Sequence, residues 1–128
     1  MKINGVHHIA LYPNEENLEK VISFYRDVMG FPVKRSWADG KNCMLSCGDN
    51  SVMEIVCHPE LDNAPVDGSF NHLAFATDDV DEYIEKVRAL GYEVTMEPTD
   101  MVLGENFPIR IGFFRGPLGE HIELFKEC

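Results

Sequence analysis

The chain has 128 residues, 45% of them hydrophobic, and a formal net charge of −11. That length buries most of its apolar surface without help from disulfides or a structural metal, and it suits one domain or two half-domains sharing a core. The acidic balance excludes a nucleic-acid partner, which needs a basic face to displace counterions from phosphates, and favours plain solubility.

Met1 leads straight into a strand-like segment, and nowhere is there an apolar run of about 18 residues. Neither secretion nor a membrane partner is expected, and the chain is read as cytoplasmic. Residues 6 to 12 alternate as a strand, and residues 15 to 29 read as a helix, with Leu18, Val21, Ile22, Tyr25, Val28 and Met29 on one face. Gly30 closes that helix as a left-handed cap. Strands follow near 32 to 37, 42 to 47 and 51 to 57, the last two joined by the turn sequence Gly48-Asp49-Asn50. A connector at 58 to 69 is rich in Pro, Asp, Asn and Gly.

The second half repeats this order. A strand at 70 to 77 precedes a helix at 79 to 90, whose buried stripe is Val80, Tyr83, Ile84, Val87 and Leu90. Asp78 or Thr77 is its expected N-cap and Gly91 its C-cap. Strands follow near 92 to 96, 109 to 114 and 120 to 126. Residues 97 to 108, with Met101, Val102 and Leu103 between two prolines, read as a long loop, either a lid over a site or a segment packed on the sheet. Cys43, Cys47, Cys57 and Cys128 have no CxxC spacing and are expected as free thiols.

The repetition extends to individual residues. Val6-His7-His8-Ile9-Ala10-Leu11 returns as Phe70-Asn71-His72-Leu73-Ala74-Phe75, and Val52-Met53-Glu54-Ile55-Val56 returns as His121-Ile122-Glu123-Leu124-Phe125. Met29-Gly30-Phe31-Pro32-Val33 returns as Leu90-Gly91-Tyr92-Glu93-Val94. The two histidines stand 64 residues apart and the two glutamates 69, a difference that loop length absorbs. The expected organisation is one domain over 1–128, with module one at 1–57, the connector at 58–69 and module two at 70–128.

Strand alternation gives the direction of these residues. Ile9, Leu11, Met53 and Ile55 oppose His8 and Glu54, and Leu73, Phe75, Ile122 and Leu124 oppose His72 and Glu123. Each helix must bury its stripe on an apolar sheet face. The large aliphatics are therefore assigned to the helix side, and the histidines and glutamates to the other side, beside small Ala10, Ala74 and Ala76. A carboxylate flanked by Val52 and Val56 is costly to bury unless it is paired or metal-bound. His8, Glu54, His72 and Glu123 are accordingly the candidate ligands of one shared metal site. Two imidazoles and two carboxylates suit a divalent ion such as Zn, Ni, Co, Fe or Mn.

These residues resemble the vicinal oxygen chelate superfamily, which includes glyoxalase I, fosfomycin-resistance and bleomycin-binding proteins, methylmalonyl-CoA epimerase and extradiol dioxygenases. His8-Ile9-Ala10-Leu11 is similar to its first ligand strand, and His72-Leu73-Ala74-Phe75 followed by Asp78-Asp79-Val80 to its third. Gly116-Pro117-Leu118-Gly119-Glu120-His121-Ile122-Glu123-Leu124-Phe125 resembles the closing turn and strand, with Gly116 where the family often has Asp. The resemblance implies an α+β fold of two tandem βαβββ modules, a curved mixed sheet forming a cup around a divalent metal, with helices outside.

A ligand glutamate at the position of Glu54 is the glyoxalase I pattern and counts against a ring-cleaving dioxygenase, which uses two His and one carboxylate. The implied function is a metal-dependent lyase or isomerase of lactoylglutathione lyase type, acting on a small vicinal-oxygen substrate through an enediolate, with Glu123 or Glu54 as the catalytic base. The alternatives are an epimerase, or a binding or antibiotic-resistance protein of the same fold. A homodimer is the implied assembly. For the substrate thiol, Arg26, Lys34, Arg35, Arg110 and Arg115 are candidate contacts, although surface charge is the plainer reading of each. His58 stands where the familiar enzyme carries Asn, which argues against glutathione. His58 and His121 share the ligand faces as polar rim, His7 is read as structural, and Trp37 and Phe114 are read as pocket wall or core.

Overall fold

The computed structural model describes residues 6–63, 71–103 and 105–128. The chain divides into two compact units, residues 1–63 and 64–128. The first contains β1 (His8–Leu11), α1 (Glu15–Ser23), β2 (Val33–Trp37), β3 (Asn42–Gly48) and β4 (Ser51–Val56). The second contains β5 (Leu73–Ala76), α2 (Val80–Ala89), β6 (Val94–Leu103), β7 (Phe107–Arg115) and β8 (His121–Glu127). Each unit is βαβββ with one four-stranded mixed sheet, in the orders β1-β4-β3-β2 and β5-β8-β7-β6. The first and last strand of each unit run parallel, and the other pairs are antiparallel. The α+β repeat of two modules expected from sequence is therefore the observed architecture.

The register carries the repeat down to single residues. Ala10 lies opposite Glu54 and Ala74 opposite Glu123. On the other side of each glutamate stand Met44 and Phe113. Cross-strand partners share a face, so both glutamates project from the face opposite Met53 and Ile55 in one unit and Ile122 and Leu124 in the other. Those four aliphatics are at most 1% exposed.

Helix α1 begins at an Asn14 cap whose side chain accepts the Asn17 amide. It does not stay α-helical to residue 29. Residues Phe24–Val28 form a π-helical turn, with the Met29 amide donating to the Phe24 carbonyl, which buries both Phe24 and Tyr25. Gly30 then turns the chain at φ 78°. Burial pushes the Cys43 thiol up, and the Arg26 charge draws it partly back. All four cysteines are free thiols.

Helix α2 packs on β6, β7 and β8 through buried Val80, Ile84 and Val87. A Cβ added at Gly112 would lie 2.9 Å from Ile84 Cγ1, so the bare backbone of β7 sets how closely this helix approaches. The cap of α2 differs from expectation. Asp79 occupies the cap position without a side-chain cap bond, and Thr77 Oγ1 instead accepts the Asp79 amide.

Two further expectations are corrected. Residues 97 to 108 are not a long loop, since β6 runs to Leu103 and β7 starts at Phe107. Pro98 fits because it falls where the register shifts between Met96 and Thr99, an irregularity that needs no ladder bond from proline. The arm exposes Met101, Val102, Leu103 and Phe107. Ile9, assigned to a buried face, is 38% exposed because β1 is an edge strand. The expected strand start at Phe70 and half of the connector, from residue 64 on, lie outside the described residues. Among the described residues no helix is long and apolar enough to cross a membrane.

Candidate metal centre

Each unit brings one of the predicted histidines to one of the predicted glutamates. In the first, His8 Nε2 is 4.0 Å from Glu54 Oε1; in the second, His72 Nε2 is 3.6 Å from Glu123 Oε1. His8 projects from β1 beside Val52, diagonal to Glu54, and His72 stands just ahead of β5 in the same relation to Glu123. The histidines are partly exposed and the glutamates mostly covered, with side chains 17% and 10% exposed. Among the described residues no group of three or more His, Cys, Asp or Glu is placed to hold a metal ion, so each unit is seen to assemble a pair.

Glu123 is the buried charged residue of the described core, 7% exposed overall. Burial pushes its carboxyl above the ordinary carboxylate range, and His72 draws it partly back. A carboxylate in that setting favours a cation beside it.

The far side of each imidazole is occupied. Asn71 Oδ1 lies 2.8 Å from His72 Nδ1, and His7 Nδ1 lies 2.9 Å from His8 Nδ1. With the Asn71 carboxamide oxygen as its partner, His72 Nδ1 is the donor of that bond, while Nε2 faces Glu123.

The pairs differ in how well they suit a divalent ion. Bonds of roughly 2.0–2.2 Å at a tetrahedral angle set two donors about 3.4 Å apart, a spacing that His72–Glu123 at 3.6 Å nearly meets and His8–Glu54 at 4.0 Å exceeds.

The residues around the pairs sort as follows. His58 Nδ1 is 2.9 Å from Glu60 Oε1, and its ring stacks on Tyr12 at 4.1 Å, at the end of the Glu54 face. His121 Nε2 is 2.9 Å from Thr95 Oγ1, and its ring lies 4.7 Å from Phe113, which in turn meets His72 edge-on at 5.4 Å. Phe114 is core, fully buried on the helix side, whereas Trp37 is 39% exposed and stands on the Glu54 face through its register with Asn42. Of the candidate cations, Arg26 pairs with Asp27, Arg110 with Asp81 and Asp100, and Arg115 donates to the Gly119 carbonyl. Arg35 lies on the Glu54 face, opposite Met44. Asn71 is not singled out by the sequence reading, although it stands 64 residues after His7, the same offset as between His8 and His72.

The family model of the Glyoxalase/Bleomycin resistance protein/Dioxygenase superfamily matches residues 5–124. The chain belongs to this superfamily. It is 32% identical over 117 residues to a lactoylglutathione lyase of Arabidopsis thaliana, covering 86% of this chain and 40% of that protein. The chain thus spans less than half the length of that relative. A probable lactoylglutathione lyase of Synechocystis sp. is 27% identical over 117 residues, covering 86% of this chain and 87% of the other. The crystal structure of a glyoxalase/dioxygenase from Nostoc punctiforme superposes with a TM-score of 0.79 at 21% identity, covering 98% of this chain and 92% of that one, which speaks to the fold alone.

Proposed function

We propose that the protein is a metal-dependent lyase of glyoxalase I type, with His8, Glu54, His72 and Glu123 as one donor set for a divalent ion. The observation that carries this reading is the matched geometry of the two pairs, each an imidazole Nε2 within 4.0 Å of a carboxylate oxygen on the ligand face of its sheet. The relatives named lactoylglutathione lyase support the choice of reaction. A divalent ion held there would act as a Lewis acid on the carbonyl of a small vicinal-oxygen substrate.

The chain's own residues supply the remainder. Glu123, buried and held above the ordinary carboxylate range, takes the proton from the hydroxyl-bearing carbon of a hemithioacetal and returns it to the neighbouring carbon. Glu54, less buried, completes the donor set and is the other candidate base. The histidines would hold the ion through Nε2. The exposed indole of Trp37 and the Tyr12–His58 stack line the ligand face of the first unit.

The proposed assembly is a cytoplasmic homodimer. Its support is that β1 and β5, the strands that begin each unit, lie at sheet edges, which proteins rarely leave unprotected.

The test is a panel of methylglyoxal and phenylglyoxal with glutathione and other thiols, assayed for thioester formation by protein loaded in turn with Zn, Ni, Co, Fe or Mn. The proposal expects catalysed isomerisation for at least one thiol with at least one ion. Ligand binding without turnover across the whole panel would make it a binding or resistance protein instead.

A further inference from the structure

We infer that Asn71 and His7 are positioning residues for the metal centre, each fixing the tautomer and ring orientation of the histidine that follows it. This rests on the donor-set reading above and deepens it. The observation is a second duplication inside the first: 64 residues apart, two polar side chains take the Nδ1 side of the two ligand histidines, at 2.9 and 2.8 Å.

A neutral imidazole binds a metal through the nitrogen without the proton, and the bond made by the other nitrogen decides which one that is. At His72 the partner is the Asn71 oxygen, which accepts and cannot donate, so the neutral ring carries its proton on Nδ1. At His8 the partner is an imidazole, which can do either. The matched position assigns the same polarity, with His8 Nδ1–H donating to the His7 Nδ1 lone pair and the His7 proton on Nε2. The opposite polarity would leave a proton on His8 Nε2, aimed at Glu54, and remove the donor from the pair.

The ring planes agree with this arrangement. His7 and His8 meet edge-on, at 88° and 5.2 Å between centroids, so an in-plane nitrogen of each ring reaches the other. His72 is also braced edge-on against Phe113, at 85°. The imidazole of His72 is thus held by a hydrogen bond on one side and a ring on another, and Nε2 is the nitrogen left to point at Glu123.

These contacts cost little unless they serve the histidines. Both are exposed, and an exposed polar pair adds little to stability, since water replaces either partner. Asn71→Leu, close in shape, is therefore expected to leave the melting temperature nearly unchanged. Its effect should fall on metal affinity, by about 10- to 100-fold, the range seen when partners of ligand histidines are removed.

The experiment measures Co²⁺ affinity by competition with a chelator and follows the cobalt absorption spectrum, for wild type, N71L, N71D and H7L. In parallel, nitrogen-15 spectra of the labelled metal-free protein read the His72 tautomer. The proposal expects N71L to weaken Co²⁺ binding with the melting temperature held, N71D to restore it because a carboxylate also accepts from Nδ1–H, and the Nδ1–H form of His72 to dominate in wild type but not in N71L. Tight Co²⁺ binding by N71L and H7L at the wild-type level would overturn the inference and leave the donor set standing. Failure of wild type itself to bind Co²⁺, Zn²⁺ or Ni²⁺ would overturn the donor set, and this inference with it. If N71L loses its fold by circular dichroism, H7L and the wild-type tautomer decide the question.

Discussion

Glu123→Gln lowers turnover of the thiol–oxoaldehyde adduct by about 10²- to 10⁴-fold, the share that a positioned base contributes to proton transfer. The substitution keeps the shape of a side chain that is 7% exposed and removes only its charge. Because burial opposes that charge, the amide is no harder to bury than the carboxylate, and the melting temperature should hold or rise. Loss of turnover with a stable fold and undiminished metal content is the signature of a role as the base, whereas turnover lost together with the metal reports only its place in the donor set. The measurement is kcat and KM with matched thermal unfolding, and a Glu123→Gln protein within threefold of wild-type kcat would exclude Glu123 as the base.

Phe114→Ala should destabilise the fold by about 3–5 kcal/mol. Phe114 is fully buried on β7, with Ile122 of β8 opposite it on one side and Val94 of β6 on the other. Truncation opens a cavity in the layer covered by α2, and Ile84 cannot collapse into it because Gly112 already holds that helix at contact distance. Urea unfolding with an unchanged m-value would report the loss. A cost below about 1 kcal/mol would mean that the sheet repacks around the gap.

What could be read from the sequence follows from the length of the signal. Alternation is a property of each strand alone, and so the side on which Glu54 and Glu123 project could be read residue by residue and agrees with the observed registers. The duplicated helix ends were also legible, since Gly30 and Gly91 both take positive φ. The hairpin arm was not. Pro98 and Pro108 read locally as breakers, and only a register shift formed with β7 lets a strand continue through Pro98. The π-helical turn at Phe24–Val28, which buries two adjacent aromatic rings, has no local signature either.

The candidate site shows the same division. Its histidines and glutamates stand out because they recur, and Asn71 does not because it and His7 differ in identity while matching in position. A repeat read by residue type misses a function preserved by hydrogen-bonding role. Trp37 also escaped a local reading: apolar bulk suggests core, yet β2 is an edge strand and leaves its indole 39% exposed on the glutamate face.

Metal analysis of purified wild type beside His8→Ala, Glu54→Ala, His72→Ala and Glu123→Ala tests the four-donor centre most directly. The account predicts tight uptake of a divalent ion by wild type and a marked loss in each variant, since the proposal assigns all four side chains to one ion. Undiminished metal content in His8→Ala and Glu54→Ala would contradict it.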